Sequence, residues 1–267
     1  MPMFEKHFDF TQTPFGKDIP ASVLFSSRAF RELTGKLRYA IERAQMMCLT
    51  GDIGAGKSTA IRAVAQQLSS ALFKFIYVPN PVMMIREMYR DLLRELQINP
   101  PWATSDSRRR LRETFCSLRQ EGQIPVLVID EAHCLSPSVL EELRMLTNFE
   151  MDAYPVFSLI LSGHPELSRI LSRRGNEALS QRLTLRYHLI GLDREETKEY
   201  VAYHTKLAGA ARPVFTEEAI AHLFQFSQGI PRRINALALR GLEIAYLQGI
   251  QTVDGNIMEL VTSETIY

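Results

Sequence analysis

The sequence lacks long apolar runs, a cysteine framework and a strong charge of either sign. Its apolar stretches are strand-sized, whereas a membrane-spanning helix needs about 20 apolar residues, and its first residues lack the apolar core of a signal peptide. Three scattered cysteines match neither a metal-binding spacing nor a disulfide framework, so we expect a cytoplasmic protein. The formal net charge of the 267 residues is +1, so any nucleic-acid binding would have to come from local basic patches.

The clearest motif is a glycine-rich loop of the form G-x-x-x-x-G-K-S at residues 51–58. It follows an apolar segment that predicts a buried strand and precedes helical spacing, which is the context in which such a loop binds a nucleoside triphosphate. Backbone N–H groups and the helix N-terminus would hold the β-phosphate. Lys57 would reach the β- and γ-phosphates, and Ser58 would ligate Mg²⁺. The predicted loop residues are Gly51, Asp52, Ile53, Gly54, Ala55, Gly56, Lys57, Ser58 and Thr59.

A second motif is an apolar segment at 124–129 that ends in two carboxylates, Asp130 and Glu131. A buried parallel strand delivers its last residues to the edge of the sheet where ligands bind. Asp130 would hold Mg²⁺, directly or through water, and Glu131 would act as the general base on the attacking water. The alternative is a strand followed by an acidic helix cap. A further core strand ends near Ser162 and His164, and either residue could contact the γ-phosphate, although a histidine at a strand end is often structural.

Basic residues offer two further hypotheses. A helix predicted at 105–120 carries several arginines near its start; such a run is usually a solvated face, or it can meet DNA phosphates. Arg182 lies just before an apolar strand, where it could pair with a local carboxylate or reach the γ-phosphate of a neighbouring subunit. The candidate DNA-binding residues are Arg108, Arg109, Arg110, Arg112 and Lys74.

The pattern of elements changes near residue 192, after which the sequence predicts helices alone. Asp193 with Glu196 has the form of a capping box. We therefore predict a nucleotide-binding α/β domain at 1–192, which includes an N-terminal entry segment and helix at 1–45. A small helical lid follows at 193–267. The aromatic residues of the entry segment would pack it onto the core, or residues 15–19 would cover the adenine ring.

In combination these motifs resemble the AAA+ ATPases, and within them the ExeA-like branch. The resemblance covers most of the chain and is carried by the strings LEELRMLTNF at 140–149, LSGHPEL at 161–167, SQRL at 180–183 and SQGIPRRIN at 227–235. It implies an AAA+ P-loop NTPase domain with a central parallel sheet, followed by a small all-helical lid. It also implies ATP and Mg²⁺ as cofactors and a homo-oligomer, with ATP bound between the domains.

The resemblance assigns roles by position. Residues 51–59 match Walker A, and Asp130 with Glu131 match Walker B. His164 lies in the sensor-one region where the family usually has glutamine, so Ser162 remains a competing assignment. Arg182 matches the arginine finger, and Arg232 matches sensor two on the lid, with Arg233 as the alternative.

Two groups of such ATPases differ in function. ExeA-like proteins proper are secretion-pathway ATPases that add a membrane span and a cell-wall-binding domain, whereas relatives of about this length resemble the partners of DDE transposases (TnsC, TniB, IstB and MuB). Because the sequence has no membrane span, we expect a transposition regulator that binds duplex DNA with ATP, forms a ring or filament on it, and recruits the transposase. A target-selector protein is a further candidate partner. The alternatives are a secretion-pathway ATPase with an envelope partner and a slow nucleotide-dependent switch.

Overall fold

A computed structural model describes residues 3–16, 19–79, 84–149 and 155–265. Within these ranges five strands alternate with helices through the first two thirds of the chain, and helices alone follow. The strands are β1 (Met46–Gly51), β2 (Phe73–Val78), β3 (Ile124–Ile129), β4 (Ser158–Gly163) and β5 (Leu185–Leu189). The helices are α1 (Met3–His7), α2 (Arg28–Glu42), α3 (Lys57–Gln67), α4 (Ile85–Glu95), α5 (Thr104–Gln120), α6 (Pro137–Leu146), α7 (Glu166–Leu171), α8 (Glu177–Arg182), α9 (Arg194–Leu207), α10 (Glu217–Ser227), α11 (Pro231–Leu247) and α12 (Gly255–Thr265).

The strands form one parallel sheet in the order β2-β3-β4-β1-β5. Strands β1, β3 and β4 are almost wholly buried, as expected for parallel strands covered on both faces. The prediction of a central parallel sheet followed by helices is confirmed. The order also places β4 between β1 and β3, so that the carboxyl ends of these three strands lie side by side.

The chain divides into two compact units. One comprises Arg31–Gly51 and Lys57–Leu189, and contains the sheet. Its largest buried cluster joins the sheet to α4, α5 and α6 through aromatic and aliphatic side chains such as Tyr89, Phe115 and Phe157. Because this cluster packs on the sheet, the apolar periodicity of the three helices follows directly from the face that each of them buries.

The other unit comprises Met1–Phe30, Asp52–Gly56 and Ile190–Tyr267, and is helical. The capping box predicted at the start of α9 is present. The Asp193 side chain accepts a hydrogen bond from the Glu196 backbone N–H, and the Glu196 side chain accepts one from the Asp193 backbone N–H. The sequence predicts that the entry segment belongs to the α/β domain, whereas Phe8, Phe10 and Phe15 pack into the helical core in the structure.

Several local features differ from the sequence expectations. Helices α1, α7 and α8 were not predicted, because helices of five or six residues are too short to show a period. Phe15 stacks on His204 with ring centroids 5.4 Å apart and is buried, which favours the packing role over the adenine-covering one; part of the range 15–19 lies outside the described residues. No helix of the described chain is both long and apolar enough to cross a membrane.

Candidate functional site

The glycine-rich loop leaves β1 and ends where α3 begins at Lys57. Gly54 and Gly56 have φ angles of 83° and 109°, a backbone region that side chains with a Cβ rarely adopt. The buried Lys57 ammonium donates to the Gly51 carbonyl oxygen at 2.7 Å. The loop therefore has the backbone form, the lysine and the helix N-terminus that phosphate binding requires.

Arg232 lies against this loop within the helical unit. Its backbone N–H donates to the Gly54 carbonyl at 3.3 Å, and a Cβ added at Gly54 would lie 2.4 Å from the Arg232 Cβ. The Arg232 side chain is exposed and makes no hydrogen bond or ion pair with any other residue that the structure describes. Its guanidinium is thus available to an anion held by the loop.

Asp130 is the most densely bonded acid of the site. It is 3% exposed, and three hydroxyls donate to its carboxylate: Ser58 Oγ to Oδ2 at 2.6 Å, Tyr77 Oη to Oδ2 at 2.9 Å and Ser162 Oγ to Oδ1 at 2.8 Å. Burial, followed by the hydrogen bond to Asp130, raises the pKa of Tyr77 to about 12, so this phenol stays protonated and keeps donating. The arrangement fixes both carboxylate oxygens.

Glu131 turns away from this buried network. Its φ of 52° places it in the left-handed region, which costs a residue with a Cβ about 1 kcal/mol or more and is concentrated at functional sites. Its side chain is 44% exposed, and its Oε2 lies 3.5 Å from His133 Nδ1 and 4.0 Å from His164 Nε2. The two adjacent carboxylates therefore occupy different environments, as a metal ligand and a general base would.

The two sensor-one candidates occupy different positions. Ser162 is fully buried at the end of β4 and is committed to Asp130. His164, two residues later, is partly exposed beside Glu131 and His133. Of the two, His164 is the one that a ligand could contact directly.

Arg182 lies at the end of α8 and donates hydrogen bonds to a side-chain hydroxyl and a backbone carbonyl at the end of α6. Its guanidinium contacts the Thr147 hydroxyl and the Arg144 carbonyl oxygen, the latter at 3.2 Å. A cation at a helix C-terminus meets unpaired carbonyls and the negative end of the helix dipole. Within one chain Arg182 is therefore held by α6.

The candidate DNA-binding arginines have partners within the chain. Arg108 forms an ion pair with the buried Glu142, Nε to Oε1 at 2.7 Å, beside Tyr89, whose hydroxyl donates to the same oxygen at 2.5 Å. Arg112 donates to a backbone carbonyl and lies over the ring of Phe149. The exposed Arg109 and Arg110 pair with acids of the same helix, and Lys74 is half-buried on the edge strand β2.

Sequence reasoning missed Tyr77 as a partner of Asp130 and His133 as a neighbour of Glu131. Tyr77 is on β2, which pairs with β3, and only the strand order shows that a residue near the end of β2 reaches the acid after β3. His133 lies in the short 3-10 turn Ala132–Cys134 that follows Glu131. Its position next to the acidic pair was the available signal.

Comparisons with known proteins bear on the fold. Residues 40–171 match the family model described as AAA domain. In solved structures, the chain superimposes on Drosophila ORC bound to DNA with a TM-score of 0.70 at 17% identity, covering 95% of this chain and 64% of that one. It superimposes on the RuvB Holliday junction branch migration motor of Thermotoga maritima with a TM-score of 0.57 at 20% identity, covering 87% of this chain and 68% of that one. The structure has the AAA+ P-loop fold.

This fold implies nucleotide binding and, in general, nucleotide hydrolysis. A curated relative, general secretion pathway protein A of Aeromonas hydrophila, is 32% identical over 252 residues, which are 92% of this chain and 46% of the relative. The chain therefore spans about half of the length of that protein. The similarity supports the ExeA-like resemblance seen in the sequence.

Proposed function

We propose that this chain is a Mg²⁺-dependent ATPase of the secretion-pathway type, which assembles with copies of itself and acts with an envelope partner. The assignment to the secretion pathway rests on the 32% identity to general secretion pathway protein A along 92% of this chain. The comparisons with solved structures are below 25% identity and bear on the fold alone. The transposition role expected from the sequence gains no support from any of them.

The residues present fit a Mg²⁺ ion. Mg²⁺ prefers hard oxygen ligands and is commonly held by one or two carboxylates together with substrate phosphates. Asp130 offers a carboxylate and Ser58 a hydroxyl, and their oxygens already lie 2.6 Å apart. When bound, the ion would neutralise charge that develops on the transferred phosphoryl group. Ser162 and Tyr77 keep the Asp130 carboxylate in a single orientation.

Glu131 is the group we assign as general base. It is exposed enough to meet a water molecule, it follows the metal-binding acid directly, and its backbone N–H donates to Asp130 Oδ1 at 3.1 Å. That bond fixes the backbone from which the Glu131 carboxylate projects. Lys57 would bind the β- and γ-phosphates, and Arg232 would meet the nucleotide from beside Gly54.

Replacing Glu131 by Gln keeps shape and removes the basic oxygen, so we expect ATP hydrolysis to fall by about 10²-fold or more while ATP binding persists. Lys57→Ala should weaken ATP binding itself. Glu141→Gln is the matched control, because Glu141 is an exposed acid that pairs with Arg144 of its own helix, and this variant should hydrolyse ATP at the wild-type rate. Wild-type turnover by Glu131→Gln would contradict the assignment of the base.

Arg182 would act in trans, on the nucleotide of a neighbouring copy. If so, the specific activity of the wild-type protein rises with protein concentration, and Arg182→Ala abolishes that rise. Thr147→Val is the control, since it removes the hydroxyl that Arg182 contacts within its own chain but leaves the guanidinium available to a neighbour. Equal concentration dependence in Arg182→Ala and wild type would exclude the role in trans.

The choice between the two pathways can be tested with a random-sequence DNA duplex. Duplex binding is measured with and without a non-hydrolysable ATP analogue across a salt series, alongside sedimentation of the protein without DNA. We expect nucleotide-dependent assembly that needs no DNA and no analogue-dependent duplex binding, because Arg108 is held by Glu142 and the exposed arginines of α5 are matched by acids. Tight analogue-dependent binding that weakens steeply with salt would overturn this proposal in favour of the transposition role.

A further inference from the structure

We propose that Glu131, His133 and His164 bind a transition-metal ion of the Zn²⁺ type, and that the bound ion inhibits ATP hydrolysis by holding the Glu131 carboxylate. One ligand atom from each residue lies within 4.8 Å of the other two. All three residues belong to the unit that contains the sheet. Two imidazoles and one carboxylate are a donor set that zinc enzymes use, with the fourth position left to water.

The distances are close to those that coordination needs. Zn²⁺ bonds of about 2.0–2.1 Å in a tetrahedron separate neighbouring ligand atoms by about 3.4 Å. Glu131 Oε2 lies 3.5 Å from His133 Nδ1 and 4.0 Å from His164 Nε2. Small side-chain rotations therefore complete the site without a change in the backbone.

Coordination through His133 Nδ1 would replace one hydrogen bond of the present structure. The backbone N–H of His164 donates to His133 Nδ1 at 3.4 Å. Because an imidazole nitrogen has a single lone pair, a metal ion bound to Nδ1 would replace this long hydrogen bond. The carboxylate oxygen of Glu131 lies 3.5 Å from the same nitrogen. An ion placed between these two atoms would be held by both of them.

The backbone holds the cluster in place. His133 is in the 3-10 turn Ala132–Cys134, directly after Glu131, whose left-handed φ sets the direction of its side chain. At Gly163 an added Cβ would lie 3.2 Å from His133 Nδ1, so glycine allows the imidazole to approach β4. The three side chains are 44%, 18% and 28% exposed, which leaves the site open to solvent for an ion and its water.

The proposed site and the Mg²⁺ site differ in chemistry. Imidazole nitrogens select zinc, copper, iron or nickel, whereas Mg²⁺ takes oxygen ligands. Asp130 and Ser58 supply only oxygens, and the new site supplies two nitrogens. Mg²⁺ in excess should therefore not displace the transition metal. Coordination through Oε2 would lower the basicity of the Glu131 carboxylate and fix its position, and inhibition follows from this.

The binding half of the proposal is tested on the full chain without nucleotide. Co²⁺ serves as the probe, because its visible absorption reports coordination by protein nitrogen and oxygen ligands, and Zn²⁺ is then added as competitor. We expect one Co²⁺ per chain, displaced by Zn²⁺ and unaffected by excess Mg²⁺. His133→Gln and His164→Gln should each weaken binding by about tenfold or more, since each removes one of three protein ligands.

Two variants serve as controls for that titration. Cys134→Ser removes the neighbouring exposed thiol, and His222→Gln removes a histidine of the other unit; both should bind Co²⁺ like the wild type. Thermal unfolding of every variant checks that it is folded. Equal Co²⁺ binding by wild type and by the His133→Gln, His164→Gln double variant would overturn the site.

The inhibition half rests on the proposed role of Glu131 as the base. ATP hydrolysis is measured at saturating MgATP with increasing free Zn²⁺, and a chelator is then added. We expect inhibition over the concentration range in which Zn²⁺ displaces Co²⁺, and recovery with the chelator. Metal binding without inhibition would overturn the regulatory role. Metal binding by a protein without ATPase activity would overturn the proposed function and leave the site in place. ATPase activity without metal binding would overturn the metal site and leave the proposed function in place.

Discussion

His204 makes the stability of the helical unit depend on pH. The residue is on α9, is 4% exposed, and packs between Phe15 and Tyr200 with ring centroids 5.4 and 4.3 Å away. Burial among these rings lowers the pKa of its imidazole to about 4. Folding therefore favours the neutral ring, and protonation favours the unfolded chain.

The sign and size of the effect follow from this pKa. The unfolded imidazole titrates near 6.5, so between that value and about 4 the unfolded state binds more protons and stability falls as pH falls. The two pKa values differ by about 2.5, which corresponds to a loss of about 3 kcal/mol in the free energy of unfolding once the pH is below both of them. At pH 5 about 2 kcal/mol of the free energy of unfolding is already lost relative to pH 7.5.

The assay is urea unfolding of wild type, His204→Phe and His222→Gln at pH 7.5 and pH 5. Phenylalanine keeps the aromatic packing and cannot be protonated, so the loss of stability on acidification should be about 2 kcal/mol smaller in His204→Phe than in wild type. His222→Gln should lose as much as the wild type. If wild type and His204→Phe lost equal stability, the inference that His204 is buried and neutral would be refuted.

Two further substitutions test the packing around the site. Gly54→Ala adds backbone strain of about 1 kcal/mol or more and a contact of 2.4 Å with the Arg232 Cβ. Chemical unfolding should therefore show a larger loss of stability than in Gly122→Ala, where φ is 84° and no atom lies within 4 Å of the added Cβ. Equal losses of stability in the two variants would refute the contact. Glu142→Ala leaves Arg108 without its buried partner and should cost about 2 kcal/mol, whereas Glu141→Ala removes an exposed acid and should have a much smaller effect on the free energy of unfolding. Similar losses in both variants would contradict the ion pair between Arg108 and the buried Glu142.

Much of the fold could be predicted from the sequence because its signals are local. Strands β1 and β3 are apolar runs of strand length. Helices α9 and α10 are capped by Asp193 and Thr216, whose side chains accept a hydrogen bond from the backbone N–H three residues later. The entry segment could not be placed, because an aromatic cluster shows that a segment is buried without showing which surface buries it. Phe8 and Phe10 pack in the helical core, a long-range contact that no local pattern encodes.

The basic residues of α5 show a second limit of sequence reasoning. Arg108 and Arg109 are adjacent and identical in type, yet one pairs with the buried Glu142 and the other with exposed acids of its own helix. The partner of Arg108 is 34 residues away. A count of positive charge treats both arginines alike, whereas only their partners decide whether a charge is free to meet phosphate.

The candidate site depends on strand order, and order is what the sequence leaves open. Because β2 and β4 flank β3, Tyr77 and Ser162 approach Asp130 from opposite neighbours, and Ser58 reaches it from the start of α3. A sheet with another order would put other side chains next to the same acid. The motif thus gives the two adjacent acids, but the topology decides which hydroxyls hold Asp130 and leaves Glu131, one residue later, to face solvent and the two histidines. The same topology therefore separates the oxygen atoms around Asp130 from the nitrogen-containing cluster beside it.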